Sequence, residues 1–170
     1  HAFYFYWGTT GKIPGWITAI IAVFCIEQAM ISFVYHKTLQ KIYKGLSLLK
    51  MLFVLGIFLR ICLNSQVFAK PELGFLPIAI NTILGTILSA GILGVVFYRK
   101  HQAPFHYFSY GVLAMLPAAF VFLMKINLHP WIDKNDVSHI LLSIGNVFFY
   151  VGIIKVAPEL SSKFNTEFEG

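Results

Sequence analysis

The chain has 170 residues, of which 58% are hydrophobic and 12% are charged, and its formal net charge is +6. Soluble domains carry about 25% charged residues, so this composition excludes an ordinary soluble domain and indicates a protein that lies in a membrane. The basic residues fall in short segments between apolar runs and form no patch interleaved with aromatic residues. We therefore expect membrane lipid as a partner and no nucleic acid.

The first segment, residues 1–16, is rich in Tyr and Trp and closes on Pro14-Gly15. Aromatic residues followed by a turn are typical of a membrane interface, so we expect an outer interfacial segment here. The same residues also fit the end of a preceding helix. On that alternative a partial helix opens the chain, and further helices are expected upstream of His1.

Five apolar runs follow, each about twenty residues long, which is the length that crosses a bilayer. We expect the spans at residues 17–35, 48–68, 75–98, 105–125 and 136–157. Pro158 is expected to end the last span, which leaves residues 158–170 as a polar tail. The sequence thus predicts an all-α fold, a polytopic transmembrane helical bundle that forms a single integral membrane domain.

Charges between the spans predict the orientation of the bundle. Residues 36–50 contain four lysines, and residues 99–104 are also basic, whereas the other connections carry few or balanced charges. Cytoplasmic loops carry an excess of Lys and Arg, so both basic segments and the C-terminal tail are predicted on the cytoplasmic side. His101 and His106 flank Pro104, the last residue of the second basic segment, a pattern that favours an interfacial turn over a metal site.

Two charged residues interrupt the first and second predicted spans. Glu27 and Arg60 each lie roughly ten residues into their spans, and they enter from opposite sides. A charge in the middle of a membrane costs about 3 kcal/mol or more unless it is paired, neutral or hydrated. We predict an intramembrane ion pair, which either fixes the helix register or belongs to a proton or substrate path that also uses Asn81.

Polar residues recur along one face of the last predicted span. Asp136, His139, Ser143, Asn146 and Tyr150 are spaced by three or four residues, which places them on one side of a helix. We call this face the polar seam. A polar seam in an apolar helix has to face something other than lipid.

The outer half of the polar seam suggests a metal site. Asp136 and His139 can bind one divalent metal together, or the carboxylate can orient the imidazole. Zinc binds three or four such ligands, and His1 is the candidate for a further one, with Ser143 supporting a water or an oxyanion. The alternative is structural, because an aspartate at a helix start caps it and a serine can bond its own backbone.

A histidine near the aromatic start and an Asp/His/Ser pattern opening the last helix give the chain a distant resemblance to a known superfamily. It resembles the seven-helix membrane hydrolases that include alkaline ceramidases and adiponectin-receptor-like proteins. The resemblance implies zinc held by His1 and His139, and hydrolysis of a lipid amide or ester. It also implies two helices ahead of His1. The chain differs from the family in having Asp136-x-x-His139 where the family has His-x-x-x-His.

Three functions are therefore predicted as alternatives. The first is a metal-dependent hydrolase in the membrane with Asp136 and Ser143 in the catalytic site. The second is a non-catalytic structural or accessory subunit, which packs against other membrane subunits through the small residues of the third span. The third is a small transporter or proton path that uses Glu27 and Arg60.

Overall fold

The apolar segments form helices because a helix pairs its backbone N–H and C=O groups internally, which a membrane interior requires. The computed structural model describes residues 8–63, 71–101, 104–124, 126–129 and 131–168. Its helices are α1 (Ile13–Ile31), α2 (Lys37–Leu63), α3 (Pro71–Thr86), α4 (Gly94–His101), α5 (His106–Leu123) and α6 (Lys134–Phe168). A 3-10 turn, Gly8–Lys12, precedes α1, and a π-helical segment, Ile87–Leu93, joins α3 to α4 without a break.

Four helical stretches are long and apolar enough to cross a membrane. They are Thr10–Ile31, Lys37–Leu63, Gly74–Lys100 and Lys134–Pro158. A fifth apolar helix, His106–Phe122, is shorter and reaches about 26 Å at 1.5 Å per residue. The predicted all-α membrane fold is confirmed, and the chain is a multi-pass integral membrane protein.

Three helix boundaries differ from those expected from the sequence. Helix α1 begins at Ile13 rather than residue 17, because Pro14 lies in the first turn, where its missing N–H is not needed. Helix α2 begins at Lys37 rather than residue 48, because lysine is a good helix former. Pro158 does not end α6, which continues to Phe168, since one proline removes a single backbone hydrogen bond and can bend a helix without stopping it.

The chain divides into two compact units, His1–Thr86 and Ile87–Gly170. In the first unit, Ile20 of α1, Phe58 of α2 and Ile78 of α3 are buried together. Trp16 contacts Phe58 edge to face, with 5.9 Å between the ring centres. We call Ile20, Phe58 and Ile78 the apolar cluster, and it holds the three helices of this unit against one another.

In the second unit, α5 and α6 approach so closely that their backbones touch. A Cβ atom on Gly111 would lie 2.9 Å from the carbonyl oxygen of Gly145. A Cβ atom on Gly145 would in turn lie 2.8 Å from the carbonyl oxygen of Gly111. Small residues at such crossings are how membrane helices gain close packing, and the side chains of Met115 and Phe149 fill the space on either side.

Ser109 of α5 fixes this helix to the π-helical segment. Its hydroxyl donates to the carbonyl oxygen of Gly91 at 3.0 Å. Gly94 permits the approach, because a Cβ atom there would lie 2.8 Å from the Ser109 hydroxyl. The ends of α4 and α5 are thereby held together.

Candidate functional site

A buried ionic cluster lies where the three helices of the first unit meet. The Glu27 side chain extends from α1, and the residue is only 7% exposed. Its Oε1 atom is bonded to the Lys50 ammonium, and its Oε2 atom accepts a hydrogen bond from the Ser47 hydroxyl at 2.6 Å. Each carboxylate oxygen thus has a donor, as a charge held away from water requires.

The fold brings Ser47 and Lys50 together because they are three residues apart on one face of α2. Helices α1 and α2 are antiparallel and joined by a short connection, so contacts pair residues at matching distances from that connection. Gln28 Nε2 donates to the Lys44 carbonyl at 3.1 Å, and Gln40 Nε2 donates to the Ser32 carbonyl at 2.7 Å. These polar contacts continue from the ionic cluster toward the lysine-rich start of α2.

The structure gives Glu27 a different partner from the Arg60 that the sequence suggested. Arg60 lies ten residues beyond Lys50 on α2, about 15 Å further along the helix axis, and it is exposed. Lys50 is the cation at the depth of Glu27. Because α2 starts at Lys37 rather than at residue 48, its middle lies near Lys50 and not near Arg60.

Helix α3 completes the ionic cluster with a glycine. A Cβ atom on Gly85 would lie 2.8 Å from Glu27 Oε1 and 3.2 Å from Lys50 Nζ. Any side chain at this position would therefore have to displace the ion pair. The glycine lets the α3 backbone close over both charges.

Asn81 lies one helical turn before Gly85, on the same face of α3. The residue is only 6% exposed, and its Oδ1 atom accepts no hydrogen bond from any residue that the structure describes. A buried acceptor without a partner costs about 1–3 kcal/mol. Asn81 therefore offers a hydrogen-bond acceptor close to the ionic cluster, as the transport alternative requires.

The polar seam of α6 does not face α5. The face of α6 that packs in the second unit carries Ser138, Gly145, Phe149, Gly152 and Val156, all of which are buried. This face prevails because its two glycines allow the closest approach to α5.

The members of the polar seam are exposed, and the structure shows local roles for two of them. All five side chains, Asp136, His139, Ser143, Asn146 and Tyr150, are exposed. Ser143 donates to the carbonyl of His139 at 2.8 Å, so its hydroxyl is bonded to its own helix. Asp136 accepts a hydrogen bond from the backbone N–H of Asp133 at the start of α6. His1 lies outside the described residues, and within the described part of the chain no three His, Cys, Asp or Glu residues form a group that could hold a metal. A zinc site formed by His1, Asp136 and His139 stays a prediction.

Asp136 and Asp133 together cap the start of α6. The Asp133 carboxylate accepts hydrogen bonds from the backbone N–H groups of Asn135 at 2.7 Å and Asp136 at 3.0 Å. Asp136 Oδ2 accepts one in return from the backbone N–H of Asp133 at 3.1 Å. This reciprocal arrangement is a capping box. The hydrogen bond from the Asp136 backbone and that from the Asn135 side chain hold the pKa of Asp133 below its usual range.

The cap should depend on pH in a defined direction. A carboxylate with a lower pKa in the folded state stabilises the fold above its unfolded pKa, and that stability is lost as the pH falls through the folded pKa. We expect hydrogen exchange in the first turn of α6, corrected for the intrinsic rate, to accelerate below about pH 4, the ordinary range of aspartate. Asp133→Asn should retain a cap and lose most of this dependence, whereas Asp133→Ala should speed exchange at every pH. Equal exchange in Asp133→Ala and the parent protein would contradict the capping role.

Comparison with known proteins adds a family but no activity. Residues 1–158 match the model of a family described as a family of unknown function (DUF6962). No curated protein and no solved structure matches the chain. These comparisons show no link to the seven-helix hydrolase superfamily that the sequence resembled.

Proposed function

As the chain belongs to DUF6962, a family of unknown function, we propose its function from its own residues: it conducts protons across the membrane through the Glu27–Lys50 pair. The observation that carries this proposal is a buried carboxylate in a membrane-spanning helix, bonded to a lysine and a serine. Ionisable groups at such depth are costly to keep, and they mark ion pathways and proton relays in membrane proteins.

Proton binding and release at Glu27 require the Lys50 ammonium to take two positions in turn. A proton that arrives at the Glu27 carboxylate forms a neutral carboxylic acid, and the ammonium then loses its counter-charge. Asn81 Oδ1, one turn along α3 from Gly85, is an acceptor with no partner among the described residues. The Lys50 ammonium lies beside Gly85, and Asn81 is four residues earlier on α3, a rise of about 6 Å, so Asn81 is the acceptor to which the ammonium would move. Glu27 then releases the proton toward the opposite side of the membrane, and the ion pair with Lys50 forms again, which completes the cycle.

The surroundings of the pair support a path with one polar and one apolar side. Toward the start of α2, the contacts of Gln28 and Gln40 line the α1–α2 interface with polar groups, and the Lys50 side chain is 38% exposed. In the other direction lies the apolar cluster, which acts as the barrier. Protons would load from the lysine-rich end, which the positive-inside rule predicts to be cytoplasmic.

The other two functions have less support from the residues. A zinc hydrolase of a lipid amide or ester rests on His1, Asp136, His139 and Ser143, and nothing beyond the sequence pattern favours it. An accessory subunit rests on the small residues of the third span, and two of these, Gly85 and Gly94, already serve packing inside the first and the second unit. Neither explains why a glutamate and a lysine are paired between α1 and α2.

Proton flux into liposomes tests the proposal. The purified chain is reconstituted with an internal pH-sensitive dye, and a potassium gradient with valinomycin provides the driving force. We expect the parent protein to acidify the vesicles faster than empty liposomes, and Glu27→Gln to lower that rate by about ten-fold or more, the effect of about 1.4 kcal/mol on a barrier. Arg60→Gln, an exposed charge on α2, is the matched control and should conduct normally. Parent flux equal to that of empty liposomes, or undiminished flux in Glu27→Gln, would overturn the proposal.

A further inference from the structure

One end of the second unit gathers tyrosines around a histidine and a lysine. The His106 ring lies 5.0 Å from the Tyr98 ring, 4.4 Å from the Tyr107 ring and 5.4 Å from the Tyr110 ring, measured between ring centres. Lys155 reaches the same place from α6, and its ammonium lies 4.5 Å from the centre of the Tyr107 ring. We call these five residues the tyrosine–lysine cluster. It joins α4, α5 and α6.

The tyrosine–lysine cluster lies at the ends of the membrane-crossing segments. One candidate span ends at Lys100, another ends at Pro158, and the shorter apolar helix begins at His106. Tyrosines at such positions sit at the level of lipid headgroups. Arg99 follows Tyr98 directly and is exposed, which adds positive charge at the same end.

Lys155 and Tyr107 form a pair of adjacent hydrogen-bond donors. The ammonium donates to the Tyr107 hydroxyl oxygen at 2.6 Å, which uses one of its three N–H groups. The remaining N–H groups and the hydroxyl proton of Tyr107 can reach a common acceptor. Lys155 is exposed and pairs with no carboxylate among the side chains that the structure describes.

We propose that the tyrosine–lysine cluster binds the phosphate of an anionic lipid headgroup. Phosphate oxygens match the neighbouring ammonium and hydroxyl donors, and charge-assisted hydrogen bonds of this kind are the strong ones. A quaternary ammonium headgroup does not fit, because the Lys155 ammonium already lies beside the Tyr107 ring and hydroxyl and would repel a second cation. The partner is therefore a negatively charged lipid of the bilayer that surrounds the chain.

Lipid binding is measured by native mass spectrometry of the purified full chain. The probes are dioctanoyl-phosphatidylglycerol and dioctanoyl-phosphatidylcholine, with inorganic phosphate as a separate arm. We expect the anionic lipid to bind more tightly than the neutral one, and Lys155→Met to weaken it by about ten-fold, the equivalent of about 1.4 kcal/mol. Lys155→Arg should retain most of the binding, and Tyr107→Phe should fall between the parent and Lys155→Met.

The chain offers a matched control at the opposite end of the membrane-crossing part of α6, Lys134–Pro158. The Lys134 ammonium lies 5.4 Å from the centre of the Phe122 ring, so Lys134→Met removes the same charge from a comparable aromatic contact. We expect Lys134→Met to bind the anionic lipid like the parent protein. Equal loss in both methionine variants, no loss in Lys155→Met, or full competition by inorganic phosphate at equal concentration would overturn the proposal. Melting curves of each variant check that the fold is intact, and Lys155→Arg separates loss of charge from loss of structure.

Discussion

Replacing Gly145 with leucine is expected to destroy the packing of α5 against α6 and with it the fold of the second unit. The first atom of the new side chain would already lie 2.8 Å from the Gly111 carbonyl oxygen. Since the Gly111 carbonyl oxygen belongs to the backbone and cannot rotate away, the helices have to separate. Overpacking a well-filled core costs about 1–3 kcal/mol even when side chains can adjust, and we expect at least the upper end here.

Size-exclusion chromatography after a heating series measures this effect in detergent. Gly145→Leu should lose its monodisperse peak at a far lower temperature than the parent, with Gly145→Ala in between. Gly56 supplies the control, because nothing lies within 4 Å of a Cβ atom built there, and Gly56→Leu should be as stable as the parent or more so, since leucine is the better helix former. If Gly145→Leu and Gly56→Leu melted alike, the close crossing of α5 and α6 would be wrong.

Composition and hydropathy were sufficient to predict the fold, because crossing a membrane leaves a helix as the simplest solution for an apolar run. The ends of the helices were less predictable. Lys37 begins α2 in the basic segment ahead of the expected span, where polarity alone fits either a loop or an extension of the helix, and lysine forms helix readily. That single boundary changes which residue of α2 lies beside Glu27.

The polar seam shows that residue spacing does not predict which face of a helix is buried. Spacing alone correctly places His139 and Ser143 on one side of a helix, but it does not tell which side of that helix packs. Gly145 and Gly152 decide the matter, because a helix packs most closely on the face that has no side chains. The glycines were visible in the sequence, and reading them as packing positions would have predicted the buried face. The pairing of Glu27 with Lys50 needed the relative register of two helices, which a single sequence does not contain.

Removing the charge of Lys50 is the other substitution with a large expected effect. In Lys50→Met the Glu27 carboxylate stays buried without its counter-charge, and breaking a buried ion pair on one side costs about 3–5 kcal/mol. We expect the lower end of this range, because the Lys50 side chain is 38% exposed and the pair is therefore only partly buried. The melting temperature in detergent should fall accordingly.

The partner assignment is decided by comparing this variant with Arg60→Met. Arg60 is exposed and forms no ion pair with a described residue, so its loss should leave the melting temperature nearly unchanged. The double variant Glu27→Gln/Lys50→Met should recover much of the stability lost in Lys50→Met, because it leaves no unpaired charge behind, and the difference from additivity measures the coupling of the two residues. Additive effects of Glu27→Gln and Lys50→Met would show that the two residues are not coupled, and a larger loss in Arg60→Met would return Arg60 to the role that the sequence suggested. Because this cycle measures stability alone, it tests the ion pair separately from proton flux. If Glu27 and Lys50 are coupled but the protein conducts no protons, the ion pair serves only to hold α1 against α2. The transport proposal would then fail, and the structural assignment of the pair would stand.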